Sequence, residues 1–266
     1  HFLFKIFGVA PLCELVSTSL NAQGWERKFG ADDFDEFFDI AQTRDLGFVT
    51  TGYLDDNKMV VYRLDAEGNV IWFRDDLVPS AGGQGQAIIE ASDGSIIIAG
   101  FCNACVAGNR DLYVTKLDAF GNTIWSQGYG GGNNDEAADL VEAADGSIAV
   151  TGYFEDGNNA NVYFLKLDPV NGTAILERTY NGSNKEDDRA FAITNSSLDN
   201  HFLLAGSTDI GANDTYTYLL KVDANSGDTI WTQEFTNNQE GTAYDIVESL
   251  DLGTGLPEGY AITGSV

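Results

Sequence analysis

Acidic and amide side chains recur in three loops of the sequence, and such side chains could bind a hard cation. The candidate ligands are Asp32, Asp33, Asp35, Asn134, Asp135, Asp187 and Asp188. Calcium takes about six to eight oxygen ligands, many of them from carboxylates. No stretch has the regular Asp-x-Asp-x-Asp-Gly spacing of a dedicated calcium loop. Two interpretations therefore stay open, a calcium site and a solvated acidic rim.

Two cysteines, Cys102 and Cys105, lie close together in a loop rich in glycine and asparagine. Such a pair can be a local disulfide, a redox pair or half of a metal site. A zinc site would need two more soft ligands, and the only histidines are His1 and His201. A thioredoxin-like site would need the pair at the start of a helix. We therefore predict a disulfide, with a redox role as the alternative.

The residue types that support nucleophilic catalysis are missing. His201 occupies a hairpin-turn position, where we expect it to be exposed, and no second histidine lies in the predicted folded part. A serine or cysteine triad would therefore lack its base. Paired carboxylates, as in glycosidases, stay open because acidic residues are abundant. We predict no catalytic residues, no bound cofactor and no enzymatic activity.

These residues are positioned by a repeated unit. Its most similar segments each contain an aspartate, at intervals of 53, 50 and 55 residues: Asp65, Asp118, Asp168 and Asp223. A fixed period near fifty residues indicates a repeat architecture. One period contains four short β-type runs, which are Ala87–Ala91, Ser95–Phe101, Leu112–Asp118 and Thr123–Tyr129. Four such antiparallel strands make one blade of a β-propeller.

Counting these units predicts an all-β propeller over residues 23–266, with four complete four-stranded blades and a partial fifth. Tryptophans on the fourth strands, such as Trp125, are expected to pack between blades. Trp25 matches them but precedes the first blade, so we expect its strand to complete the last blade and hide two sheet edges. The propeller would then be incomplete at its C-terminus, within a longer protein of six to eight blades. A distorted five-bladed ring is the alternative.

Each unit also carries a basic residue two positions before the repeated aspartate, as in Lys116 and Asp118. Because this pair recurs identically, we interpret it as a structural ion pair or turn contact and not as a site.

Charge and the N-terminal segment predict where the protein acts. The chain has 41 acidic and 14 basic residues, a net charge of −27 that disfavours nucleic acid and anionic lipid as partners. Residues 1–22 combine a basic start, an apolar run and a small-residue exit at Ala22, which predicts a secretory signal peptide. A helix packed on the domain is the alternative. No later segment approaches the roughly 20 apolar residues of a membrane span.

Several motifs also resemble a known group of proteins. The segments Gly121–Trp125, Tyr129–Asp135, Asp145–Tyr153 and Tyr163–Asp168 are similar to the β-propeller repeats of secreted Bacteroidetes proteins. Such proteins are long chains that end in a type IX secretion sorting domain. The segment Asp223–Trp231 resembles the tryptophan-docking motif of quinoprotein propellers. The resemblance covers residues 24–266 and implies blade packing and a secreted or cell-surface location, but no activity.

The sequence therefore predicts a secreted or cell-surface propeller that acts as a non-catalytic binding or scaffold module for an unknown protein or glycan. The alternatives are a calcium-stabilised glycan-binding propeller and a carboxylate-based enzyme that acts on glycosides.

Overall fold

The computed structural model describes residues 4–7, 24–29, 35–54, 57–79, 82–157, 159–182, 186–211, 214–235, 240–251, 254–255 and 257–265. These residues form twenty β-strands. Among them there is no helix long and apolar enough to cross a membrane.

The strands fall into units that follow the chain. The first unit comprises β3 (Glu36–Gln42), β4 (Phe48–Leu54), β5 (Lys58–Leu64) and β6 (Val70–Arg74). The second comprises β7 (Gly83–Glu90), β8 (Ile96–Asn103), β9 (Arg110–Leu117) and β10 (Thr123–Tyr129). The third comprises β11 (Asp135–Glu142), β12 (Ile148–Asp156), β13 (Asn159–Leu167) and β14 (Ala174–Tyr180). The fourth comprises β15 (Asp188–Asn195), β16 (Phe202–Asp209), β17 (Thr215–Val222) and β18 (Thr229–Phe235). The fifth has β19 (Thr242–Leu250) and β20 (Pro257–Ser265), and the N-terminal strands are β1 (Phe4–Phe7) and β2 (Gly24–Arg27).

Each complete unit is a four-stranded antiparallel sheet whose strands pair in chain order. The first strands of successive units contact one another. The fourth strands are largely exposed. The first strands therefore surround a central channel and the fourth strands lie on the outside, which is the arrangement of a β-propeller. The predicted fold, with four complete blades and a partial fifth, is confirmed.

Hairpin turns set the strand spacing inside each blade. In the second unit, the amide of Ala91 donates to the carbonyl of Ser95, and the carbonyl of Ala91 accepts the amide of Gly94, which adopts a φ of 82°. That conformation is strained for any residue with a Cβ, which explains why glycine recurs in the Asp-Gly pair of this turn. The carboxylate of Asp93 accepts the amide of Ser95 at 2.9 Å and closes the turn. The strand that follows is buried along nearly its whole length, as its uninterrupted apolar sequence predicts.

Adjacent blades pack through the tryptophans of the fourth strands. Trp125 is only 9% exposed, and its indole N–H donates to the carbonyl of Pro169 in the next blade at 3.2 Å. Gly172 lies against the face of the same indole, so a side chain there would collide with it. Trp72 makes the equivalent hydrogen bond to Ala119 at 3.1 Å. The predicted role of these residues in blade packing agrees with these contacts.

Trp25 docks on the first blade in the same way, because its indole N–H donates to Ala66 at 2.8 Å. This contact places β2 where the outer strand of a neighbouring blade would lie. In the described residues, however, β2 pairs with β1, and β19 pairs only with β20. Completion of the fifth blade by β2 therefore stays a prediction.

The basic residue of each third strand pairs with a different aspartate from the expected one. Lys116 Nζ lies 2.8 Å from Asp93 in the hairpin turn and donates to the carbonyl of Pro169 at 2.9 Å. Asp118 instead accepts the amides of Phe120 and Asn122 within its own turn. The turn contact was predicted correctly and the ion-pair partner was wrong. The equivalent pairs in the other blades are Arg63–Asp45, Lys166–Asp145 and Lys221–Asp199.

Candidate ligand site in the central channel

A β-bulge interrupts the first strand of every blade near its start. An extra residue stands at the bulge, so the strand locally re-aims its side chains. The bulge residues are Phe38, Gln86, Ala138, Phe191 and Tyr244. Because the first strands surround the channel, these five positions form a ring in its wall, and they carry four different residue types.

A cavity of about 310 Å³ lies among these strands. Its lining comes from the first four blades: Phe38, Gln86, Glu136, Ala137, Ala138, Tyr153 and Phe191. Pockets that bind small molecules combine apolar and aromatic walls with a few well-placed polar groups. This cavity has that composition, with one amide and one carboxylate among aromatic rings.

Aromatic rings are paired around the cavity. The ring centroids of Phe38 and Tyr53 are 5.9 Å apart, and those of Phe191 and Tyr244 are 5.6 Å apart. Phe38 is 41% exposed and Tyr244 is 56% exposed, although neither lies on an outer strand. Phe38 and Phe191 line the cavity, and each packs against a tyrosine ring beside it.

Two arginines lie beside the cavity, and each faces a carboxylate. Arg110 is 2.5 Å from Glu136. Arg189 lies 3.4 Å from Asp187, and its guanidinium is 4.4 Å from the ring centroid of Tyr153. Arginine over an aromatic face is a favourable cation–π geometry. The aromatic face of Tyr153 is therefore in contact with the positively charged guanidinium of Arg189.

Aspartates follow the bulge in alternate blades. The residues after the bulge are Asp39, Ala87, Asp139, Ala192 and Asp245. Asp139 accepts the amide of Leu140 at 2.7 Å in its own strand and that of Ile193 at 2.8 Å in the next blade. Asp39 bridges the first and second blades in the same way. Asp39 and Asp139 thus each bond backbone amides in two adjacent blades, whereas Asp245 accepts the amide of Ile246 in its own strand.

Asp39 and Asp139 hold their protons more tightly than an ordinary aspartate, because the pKa of each carboxyl is raised. Burial, opposed by the two amide hydrogen bonds and reinforced by Asp39 and Asp245, raises the pKa of Asp139 to about 7. Burial also raises the pKa of Asp39, to which Asp245 contributes as a like charge. The three carboxylates are therefore electrostatically coupled around the channel.

The predicted metal ligands that the structure describes belong to separate blades and do not form one group of ligands. Asp135 is fully buried and accepts the amides of Gly131 and Glu155, while Asn134 donates to the carboxylate of Glu155. Asp187 and Asp188, in another blade, accept the amides of Ala160 and Gly182.

Asp35 is buried in the first blade, and Asp32 and Asp33 lie outside the described residues. Within the described ranges, no group of three or more histidine, cysteine, aspartate or glutamate side chains could hold a metal. A calcium site stays a prediction.

Cys102 and Cys105 form a disulfide with their Cα atoms 5.9 Å apart. The loop that follows is held by Asp111, whose buried carboxylate accepts the amides of Val106, Ala107 and Gly108. Sequence reasoning missed Asp111, although an acidic residue opening an otherwise apolar strand was a usable signal.

His201 lies in a hairpin turn, as predicted, but it is half-buried and not fully exposed. Its Nδ1 accepts the amide of Ala224 at 3.2 Å and lies 3.7 Å from Asp223. It therefore joins two turns of one blade.

Several solved structures are similar to this chain. No protein-family model and no curated protein matches the sequence. Similar solved structures include an exo-β-1,3-galactanase from Clostridium thermocellum (TM-score 0.48, 12% identity) and a europium-containing methanol dehydrogenase (TM-score 0.48, 12% identity). A family 43 glycoside hydrolase, YxiA from Bacillus licheniformis, has a TM-score of 0.42 at 10% identity. The matches cover 84%, 84% and 89% of this chain, and 52%, 60% and 72% of those chains.

The prediction of no enzymatic activity is corrected at this point. These similar structures are named as a galactanase, a methanol dehydrogenase and a glycoside hydrolase, and all three names are those of enzymes. The prediction rested on the missing histidine and thiol groups and discounted carboxylate pairs because acidic residues are abundant, but carboxylate chemistry needs neither a histidine nor a thiol. At 10–12% identity the likeness is one of fold, so the function has to be argued from the channel itself.

Proposed function

We propose that this protein is a glycan-binding β-propeller whose ligand enters the central channel. The observation that carries the proposal is the cavity in which aromatic rings from separate blades surround the amide of Gln86 and the carboxylate of Glu136. Apolar ring faces suit the C–H faces of a sugar, and the amide and carboxylate suit its hydroxyl groups. The bulge positions differ between blades, whereas the packing positions repeat, as expected if the channel has a role besides stability.

Replacing both Phe38 and Phe191 by alanine tests the proposal. We expect glycans selected on an array with the unmodified protein to bind at least about tenfold more weakly, because two stacking surfaces are lost. Affinity is measured by isothermal titration calorimetry. The matched control is Phe120→Ala, since Phe120 is 81% exposed in a turn that does not line the cavity. Equal affinity of the double variant and the unmodified protein would contradict a channel site.

A second candidate function is hydrolysis of glycosides at the same channel. The observation that favours it is Asp139, with a pKa raised by burial to about 7, coupled to Asp39 and Asp245. Glycoside hydrolysis commonly uses an acid that keeps its proton near neutral pH together with a second carboxyl group. It ranks second because both oxygens of Asp139 already accept backbone amides.

Release of the chromophore from aryl glycosides tests this candidate. If the channel carboxylates act, Asp139→Asn should lower turnover by about 100-fold or more, and Glu67→Gln, on an exposed turn, should not. The absence of turnover in the unmodified protein would remove the candidate.

A secreted or cell-surface location, of the kind seen in the Bacteroidetes propellers that the repeats resemble, belongs to the same proposal. It is supported by the signal-like residues 1–22 and by the Cys102–Cys105 disulfide, because disulfides persist in oxidising compartments. Since β1 falls inside residues 1–22, the mass of the exported chain tests the location directly: an N-terminus at Gln23 is expected.

A further inference from the structure

A repeated contact links successive blades at the end of the first strands opposite the bulges. We call the place where a first strand meets the hairpin turn of the preceding blade a joint, and the described units form four of them. In most joints, the side chain four residues after the bulge accepts a backbone amide of that turn. Three joints contain a glutamate carboxylate, and the hydrogen bonds run from Arg44 to Glu90 at 2.7 Å, from Ser92 to Glu142 at 2.6 Å and from Ser197 to Glu248 at 3.0 Å.

The joint between the third and fourth blades differs. Its side chain at the glutamate position is Asn195, which is shorter than glutamate and donates instead to the backbone carbonyl of Glu142 at 2.8 Å. The equivalent turn amide belongs to Ala144, which is exposed, and no described residue accepts a hydrogen bond from it. Within the described units, this joint therefore has a turn amide without a carboxylate of its own chain to bind.

Two cavities lie at this same joint. One has a volume of about 300 Å³, and its lining includes Ala144, Asn195 and Ser197. The other has a volume of about 340 Å³ and shares Ala143, Ala144 and Asn200 with the first. A small ligand can therefore reach the turn amide at the position that a glutamate side chain occupies in the other joints.

Positive charge and further donors lie beside the turn. Lys166 lines the larger cavity, and its ammonium group donates to Asp145 at 2.8 Å and to the carbonyl of Ala224 at 2.9 Å, which leaves a third proton. His201 lines the same cavity. Its Nδ1 accepts the amide of Ala224 at 3.2 Å, so the ring proton lies on Nε2, where it can be donated.

The acidic groups around the cavities are already engaged. Glu142 accepts both the amide and the hydroxyl of Ser92, and Asp199 pairs with Lys221 at 2.8 Å. Glu90 and Glu142 occupy successive joints, so the fold already holds carboxylates at this spacing. A carboxylate at the next joint would continue the same row.

We propose that the joint between the third and fourth blades binds the carboxylate of an external ligand through the amide of Ala144, as the other joints bind a glutamate. A hydrogen bond from an amide to a carboxylate is charge-assisted and about twice as strong as one between neutral groups. A glutamate side chain of a peptide and a uronic acid sugar both present this group. The site lies at the other end of the first strands from the bulge residues, so it is independent of glycan binding in the channel.

Titration with paired small ligands tests the proposal, and the amide resonance of Ala144 in a proton–nitrogen correlation spectrum reports binding. N-acetylglutamate methylamide is compared with its glutamine counterpart, and methyl glucuronide with methyl glucoside. Salt is held at about 0.15 M, where a Debye length of about 8 Å limits the long-range repulsion from the net charge of −27. We expect at least one acid to shift the Ala144 resonance saturably, and its neutral counterpart to bind at least about tenfold more weakly. The acid that binds more tightly identifies the source of the carboxylate.

A variant that restores the repeat locates the effect. Asn195→Glu supplies the carboxylate that the other joints have, so binding of the acid should fall at least about tenfold and the urea midpoint should rise. Gln127→Glu is the matched control, because it adds the same charge at an exposed position of the fourth strand of the second blade. It should change neither measurement.

Equal binding of an acid and its neutral counterpart would overturn the proposal, because the amide would then not select a carboxylate. Acid binding that Asn195→Glu leaves unchanged would place the ligand elsewhere, and an equal loss in Gln127→Glu would show a general effect of charge. Either result would also overturn it, as would the lack of a saturable shift at Ala144 with both acids. The glycan-binding test with Phe38 and Phe191 is unaffected by any of these results.

Discussion

Replacing Trp125 by alanine should lower the free energy of unfolding by about 3–5 kcal/mol, as large-to-small changes of a buried tryptophan do. The indole is 9% exposed and lies between the second and third blades. Its removal deletes the contact with Gly172 and the hydrogen bond to Pro169, and it leaves a cavity that the rigid sheets cannot close. Urea denaturation followed by circular dichroism measures the loss.

The same substitution at Trp231 is the matched control. Trp231 has the equivalent position in the fourth blade but is 37% exposed, because no third and fourth strands of the fifth unit cover it in the described residues. Its replacement in the same chain should cost less than about 1 kcal/mol. Equal losses at Trp125 and Trp231 would mean that burial against the next blade is not what these residues contribute.

The sequence predicts the order of the strands but not their register. The repeated Leu-Asp and Gly-Asn-x-Ile-Trp segments mark where strands end and turn, so strand number, order and blade count follow from spacing alone. The register of a first strand against its neighbour does not, since one inserted residue at Phe38 or Gln86 changes which side chains face the channel.

The partner of each ion pair was predicted wrongly for a similar reason. Lys116 and Asp118 are close in sequence and occur together in every unit, so they were paired by proximity. In the folded blade the hairpin turn of the preceding two strands brings Asp93 to within 2.8 Å of Lys116 Nζ. Asp118 is needed by the amides of its own turn. Contacts between strands that are not adjacent in the repeat pattern cannot be derived from the pattern.

The sequence analysis did not find the channel site, because the site is formed by positions whose residue type differs between the repeats. The packing position on the fourth strand stands out in the sequence because it holds Trp72, Trp125 and Trp231, with Leu176 in the third blade. The bulge position instead holds phenylalanine, glutamine, alanine, phenylalanine and tyrosine in turn. The aspartate after the bulge is present only in alternate blades. Both patterns become visible once the first strands are known to converge on one channel.

The protein should become more stable as the pH is lowered from about 8 toward about 5, and Asp139 should be a main cause. Burial raises its folded-state pKa from 3.8 to about 7, so in this window the folded state binds a proton that the unfolded state has lost. The stability it contributes is complete below pH 3.8 and disappears as the pH rises through about 7. One pKa unit corresponds to about 1.4 kcal/mol, and because Asp139 is partly exposed we expect a total gain of about 1–2 kcal/mol.

In stronger acid, the protonation of other carboxylates should lower the stability again. This opposite trend serves as an internal control in the same measurement. Partial burial opposes the hydrogen bonds from Lys166 and Ser147, which nevertheless lower the pKa of Asp145 to about 2. Its contribution is present above pH 3.8 and is lost as the pH falls through about 2, so stability should peak near pH 4–5. Urea midpoints measured from pH 3 to 8 should show this peak.

Asp139→Asn should flatten only the limb of the stability curve above pH 5, because an amide does not titrate. Asp145→Asn should flatten only the limb in stronger acid. If both variants keep the slope of the unmodified protein above pH 5, the dependence comes from the overall charge of −27 and not from the channel.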